Sequence, residues 1–152
     1  MVHEENTIVD IKLEKELVFK CNLGLKNLKE IYIDETINPK GELVGPDAAR
    51  LLGMAILGCL SASFIFCLQK RNLVVDDLDA SAEISFGKTE KEHIRVKKIN
   101  IKITPKTKDP ATLKRIKQCI SKMKTSEMLF EETCIITGSV REGIHIDVNV
   151  EI

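Results

Sequence analysis

The chain has no tryptophan and one tyrosine in 152 residues, so aromatic platforms on which bases could stack are scarce. It also lacks net charge. Its 23 lysines and arginines balance 23 aspartates and glutamates, and no global field draws it to nucleic acid or to an anionic membrane. Arg95, Lys97, Lys98, Lys102, Lys106 and Lys108 do gather in one stretch, but they alternate with apolar residues and read as the wet face of a strand. No Cys-x-x-Cys occurs, and His3, His93 and His145 stand far apart, which argues against a structural zinc site. There is no internal repeat and no low-complexity linker. The opening Met-Val-His-Glu-Glu-Asn is not a basic and apolar leader. A reducing, cytoplasmic setting is therefore expected, in which the five cysteines serve as core residues or redox groups.

What is present suits one hydrophobic core, and a single domain over residues 1–152 is expected. Val9, Ile11 and Leu13 alternate, as do Leu17, Phe19, Cys21 and Leu23, then Ile31 and Ile33, the period of half-buried antiparallel strands. A loop with Pro39, Gly41 and Gly45 follows, and Pro46 suits the first turn of a helix running to about Lys70. Its window Leu51–Leu68 carries no charge, about the shortest length that could span a membrane. The strands on either side favour a buried, sheet-covering helix instead, with no membrane partner.

Beyond it, Leu78, Ala80, Ala82, Ile84 and Phe86 share a strand face, and Gly87 to Glu90 read as a turn. Ile94 and Val96, then Ile99, Ile101 and Ile103, continue the sheet with an offset that predicts a bulge, and Pro105 is expected to stop it. Asp109-Pro110 is a capped helix start, followed at helical spacing by Leu113, Ile116, Ile120 and Met123. Residues 127–132 suit a short helix or turn. Ile144, Ile146, Val148, Val150 and Ile152 predict a final strand. The order βββ-α-ββ-α-β makes an α+β domain whose apolar helix must be covered on more than one side, so a subunit interface is expected.

Five cysteines pose the chemical question. Cys21, Cys67 and Cys119 fall at core-compatible phases of strands or helices. Cys59 sits in the apolar helix among Gly58, Ser61, Ala62 and Ser63, where a buried structural thiol is the bland reading and close approach by a substrate the sharper one. Cys134 lies beside glutamates and Thr137-Gly138-Ser139, which reads as an accessible loop or helix start. Two such thiols can divide peroxide chemistry. One attacks as thiolate and becomes a sulfenic acid, and the other closes a disulfide that a cellular thiol reduces. The attacking thiol needs a cation or donor, and apolar walls favour organic peroxides.

The run Gly45-Pro46-Asp47-Ala48-Ala49-Arg50-Leu51-Leu52-Gly53-Met54-Ala55-Ile56-Leu57-Gly58-Cys59-Leu60 resembles the opening of the central helix in the OsmC/Ohr family. Cys134 with Thr137 resembles that family's Cys-Pro-x-Ser/Thr segment ahead of a valine-rich strand. The resemblance implies an α+β OsmC-like fold, with antiparallel sheets around a long central apolar helix, in an intertwined homodimer. It implies thiol-dependent reduction of organic hydroperoxides, with Cys59 attacking, Cys134 resolving, no bound cofactor, and an external dithiol or small-protein reductant.

The chain departs from the family pattern at Ala49, where family peroxidases carry glutamate, at Ile135, where they carry proline, and in having no arginine before Arg50. Arg50 is accordingly the candidate replacement cation, reaching the thiol across a dimer or through substrate, or else a solvent-facing first-turn residue; Lys20 and backbone donors are the other sources. The same departures suit a second reading, a non-catalytic dimer that binds a small apolar ligand. Nucleic acid is not expected as a partner.

Overall fold

In the computed structural model, which describes residues 7–28, 30–37, 40–121 and 127–151, the chain divides into two compact units, Met1–Leu52 and Gly53–Ile152.

The first unit is a meander of three antiparallel strands in the order β1 (Asp10–Lys15), β2 (Val18–Asn22) and β3 (Ile31–Asp34). Glu16, at φ 50°, turns the chain between β1 and β2. The loop after β3 is folded back by one carboxylate. Asp34 is buried and accepts from the backbone N–H of Thr36 at 3.0 Å and of Val44 at 2.9 Å. Hydrogen bonds from Thr36, then from Val44, hold its pKa below the ordinary aspartate value. Gly45 is required here by space, since a Cβ would stand 2.1 Å from the Tyr32 carbonyl oxygen.

Helix α1 (Ala48–Gln69) begins as the sequence predicts, with one adjustment. Asp47 caps it, accepting from Arg50 N–H at 2.7 Å, so Pro46 lies just outside the first turn. In the second unit, α1 buries Gly53, Ile56, Leu60, Ser63, Phe64, Cys67 and Leu68, a stripe at helical spacing. Leu78, Ile99, Ile101 and Ile103 pack against the core cluster on that stripe. A Cβ on Gly53 would meet Ile84 Cδ1 at 2.6 Å, which shows how closely the helix approaches the sheet.

That sheet is a long hairpin of β4 (Asp77–Lys88) and β5 (Ile94–Lys106). The predicted bulge is present: Ser85 pairs with Lys98 and Phe86 with Val96, leaving Lys97 over. Gly87 makes room for it, because a Cβ there would fall 2.8 Å from Lys97 Cγ. Two expectations are corrected. The turn falls at residues 89–93, closed by the Thr89 N–H to His93 carbonyl bond at 2.9 Å, with Glu92 at φ 61°, rather than at Gly87 to Glu90. Pro105 does not end β5 but pairs with Leu78, since β5 has no second neighbouring strand among the described residues to need its missing N–H.

Helix α2 (Pro110–Cys119) starts as predicted, with Asp109 accepting from Thr112 N–H at 2.7 Å. It stops at Cys119, with Ile120 as its C-cap; Met123, read as its continuation, lies outside the described residues. A short 3-10 helix, Leu129–Thr133, answers the expected element before Cys134. The sequence reads the next element only as a loop or helix start at Cys134, and the helix start is what forms. Ile135–Glu142 form helix α3, tied down by Arg141, whose guanidinium reaches Glu127 at 2.9 Å and Glu131 at 2.6 Å.

The predicted last strand is not formed over residues 144–151, and Ile152 lies outside the described residues. Ile144, Ile146, Val148 and Val150 are all exposed. Alternation fixes which residues share a face, but a strand also needs a neighbour for its N–H and C=O groups, and this segment has none among the described residues.

Candidate functional site

Cys59 and Cys134 come together in the second unit. Cys59, half-buried on α1, packs against the core cluster that contains Cys134. Cys134 is only 3% exposed, which corrects the expectation of an accessible residue, and it is the N-cap of α3. Its placement has a local cause. The 3-10 helix ends on the Cys134 N–H to Glu131 carbonyl bond at 2.9 Å, and the chain then enters α3 with the sulfur over the first turn.

The α3 N-terminus serves both sulfurs. Thr137 N–H donates to Cys134 Sγ at 3.4 Å, and the Cys134 thiol donates to Thr137 Oγ1 at 3.0 Å. The first turn of α3 also faces Cys59, where the backbone of Ile136 and Ile135 favours the thiolate. Burial pushes the Cys59 thiol above its ordinary pKa, and the neighbouring Cys134 thiol adds to that. The Ile136 and Ile135 donors act in the opposite direction. Ile135, at the first helical position, therefore supplies a donor that a proline there would lack.

Chemically, two adjacent thiols at one helix N-terminus can hold a thiolate, a sulfenate and then a disulfide. Sequence reasoning found the two cysteines and Thr137. It left the donors of Ile135 and Ile136 unread, for which the available signal was the small-polar capping pattern from Cys134 to Thr137.

The candidate cations lie in the first unit. Arg50 is exposed and ion-paired with Asp47 in the first turn of α1. Lys20 is paired with Glu30 at 2.6 Å. Among the described residues, no cluster of three or more His, Cys, Asp or Glu side chains could hold a metal ion. The helix α1 is long and apolar enough to cross a membrane by length and composition, and the stripe described above is the part it buries within the protein.

The other two α1 and α2 cysteines, Cys67 and Cys119, form a disulfide with Cα atoms 6.2 Å apart, which the sequence did not reveal. Cys21 is a buried free thiol in β2.

Comparison with known proteins places these features in context. The family model described as OsmC-like protein matches residues 39–149. No curated protein sequence matches the chain. Among solved structures, an OsmC-like protein of unknown function from Vibrio cholerae O1 biovar eltor str. N16961 superposes with a TM-score of 0.67. Its identity is 14%, over 90% of this chain and 94% of that one. An OsmC-like protein from Mycoplasma pneumoniae gives 0.65 at 10% identity, covering 91% and 89%. An organic hydroperoxide resistance protein OsmC from Legionella pneumophila gives 0.61 at 10% identity, covering 92% of each chain. At these identities the structural likeness speaks for the fold.

Proposed function

The chain belongs to the OsmC-like protein family, and on that premise we propose that it reduces organic hydroperoxides through Cys59 and Cys134. The Cys59 thiolate attacks the terminal peroxide oxygen, the O–O bond breaks, and the alkoxide leaves as alcohol after taking a proton. Cys59 is then a sulfenic acid. The Cys134 thiol displaces its hydroxyl as water, closing a Cys59–Cys134 disulfide, and an external dithiol or small reduced protein returns both to thiols. The observation that carries this reading is the common α3 N-terminus. Thr137 N–H donates to Cys134 and the Ile135 and Ile136 backbone favours the Cys59 thiolate, so a charge generated on either sulfur meets the same helix terminus.

The test is anaerobic treatment of reduced protein with one equivalent of an alkyl hydroperoxide, followed by mass-spectrometric mapping. A Cys59–Cys134 disulfide is expected; Cys59 remaining a thiol would refute the proposal. One observation favours the second reading, a non-catalytic dimer that holds a small apolar ligand: burial raises the Cys59 pKa, while Arg50 is already engaged by Asp47. Absence of peroxide consumption, together with uptake of an apolar ligand, decides for it.

The proposal extends to the assembly. The chain acts as one OsmC-like domain in an intertwined cytoplasmic homodimer, whose second copy covers the exposed apolar residues of α1, Met54 and Phe66 among them, and pairs with the segment from Ile144 to Val150. Sedimentation at micromolar concentration is expected to give the dimer mass. A monomer alone would contradict it.

A further inference from the structure

We propose that the Cys67–Cys119 disulfide is a second thiol-exchange site, independent of the Cys59–Cys134 pair, that takes a cellular dithiol as its co-substrate. Cys67 lies near the end of α1 and Cys119 is the last residue of α2. The two sulfurs have unequal surroundings. The Arg115 guanidinium is held from two sides, by the Cys67 carbonyl at 3.2 Å and the Gln118 side-chain oxygen at 3.1 Å. Its remaining nitrogen then stands 3.6 Å from Cys67 Sγ. A cation beside a neutral disulfide sulfur gains little. It gains much once that sulfur becomes a thiolate.

This asymmetry assigns roles. An incoming thiolate attacks Cys119 Sγ, the S–S bond breaks, and its electron pair stays on Cys67 as a thiolate beside Arg115. The better-stabilised thiolate is the faster leaving group. The second thiol of the dithiol, deprotonated, then attacks the mixed disulfide, leaving the external disulfide and a Cys119 thiolate that takes up a proton. The protein is reduced by two electrons and the dithiol oxidised by two.

Access comes from the end of α2. Cys119 is fully buried in the core cluster, so exchange requires the end of α2 to open; that end is held by the Ile120 N–H to Ile116 carbonyl bond at 3.0 Å, the Ser121 N–H to Gln118 carbonyl bond at 3.1 Å and the Leu129 N–H to Ser121 carbonyl bond at 3.1 Å. Local opening at a helix end, the low-stability part of a structure, is the route by which the incoming thiol reaches the sulfur.

The experiment uses the full oxidised chain in native buffer. Samples are exposed to graded 2-mercaptoethanol, quenched with acid, alkylated, and mapped at every cysteine by mass spectrometry. Expected is opening of Cys67–Cys119 at a rate that rises with thiol concentration, with the trapped mixed disulfide on Cys119. Arg115→Met slows opening about tenfold, the scale of one hydrogen bond to a charged group, and Arg115→Lys retains most of the rate. Opening only at the rate of global unfolding, trapping on Cys67, or an unchanged rate in Arg115→Met would each overturn the proposal. The same digests report Cys59 and Cys134 separately, so the outcome stands apart from the peroxidase reading.

Discussion

The donor supplied by Ile135 can be removed alone. In Ile135→Pro the substituted residue sits at the first position of α3, where proline is tolerated and its fixed φ suits a helix, so the backbone path is retained while one N–H is lost. That N–H is one of two backbone donors that oppose the burial of Cys59, Ile136 being the other. A hydrogen bond to a charged group contributes roughly 1.5–3 kcal/mol. With Cys59 half-buried, solvent screening reduces this to about 1 kcal/mol, or about fivefold less thiolate at a fixed pH. The assay is the pH-dependent rate of Cys59 alkylation, read by mass spectrometry in Cys134→Ala and in Cys134→Ala/Ile135→Pro. The midpoint is expected to move to higher pH on adding the proline, and neutral-pH alkylation to slow about fivefold. Circular dichroism showing α3 intact while the alkylation profile stays unchanged would refute the role assigned to this donor.

Three further outcomes follow from other contacts. Replacing both Cys67 and Cys119 with alanine removes a cross-link over a sequence separation of 52, so loop-closure entropy alone predicts a loss of about 4 kcal/mol, measurable by urea unfolding. Gly45→Ala drives a Cβ into the Tyr32 carbonyl and should cost about 2 kcal/mol or more by the same assay. Asp34 and Asp109 both have pKa values lowered from 3.8 by hydrogen bonds, Asp34 chiefly from the Thr36 side chain and Asp109 from that of Thr112. The stability they contribute is complete above 3.8 and disappears as pH falls through their lowered values. Urea midpoints followed below pH 4 should therefore drop less steeply in Asp34→Asn and Asp109→Asn.

Local signals were legible where local chemistry decides the outcome. The cap Asp109 with Pro110, the small-residue run of α1 and the offset between Val96 and Ile99 all name structures that form. Helix α3 was obscured because Thr137, Gly138 and Ser139 have loop-like propensities, and what steadies the helix is remote: Arg141 reaching back to Glu127 and Glu131. Ile144 to Val150 erred in the other direction, since alternation specifies a face and not a neighbour. The Cys67–Cys119 bond was unreadable for a related reason: pairing among five cysteines is not written in their spacing. At the site, the sequence singled out Cys59 and Cys134 but not the helix terminus between their roles. For Arg50 it left two readings open, and the structure shows an exposed side chain paired with Asp47.

A helix capped by sulfur has an unusual property. Cys134 accepts the Thr137 N–H that an aspartate or serine accepts in an ordinary cap. A carboxylate or hydroxyl keeps that capacity whatever the redox state around it, whereas a sulfur changes its charge and its geometry as it is oxidised or alkylated. The first turn of α3 is therefore coupled to the oxidation state of one atom. Amide exchange at Thr137 would read that state from the backbone, with no chemical label on the thiol.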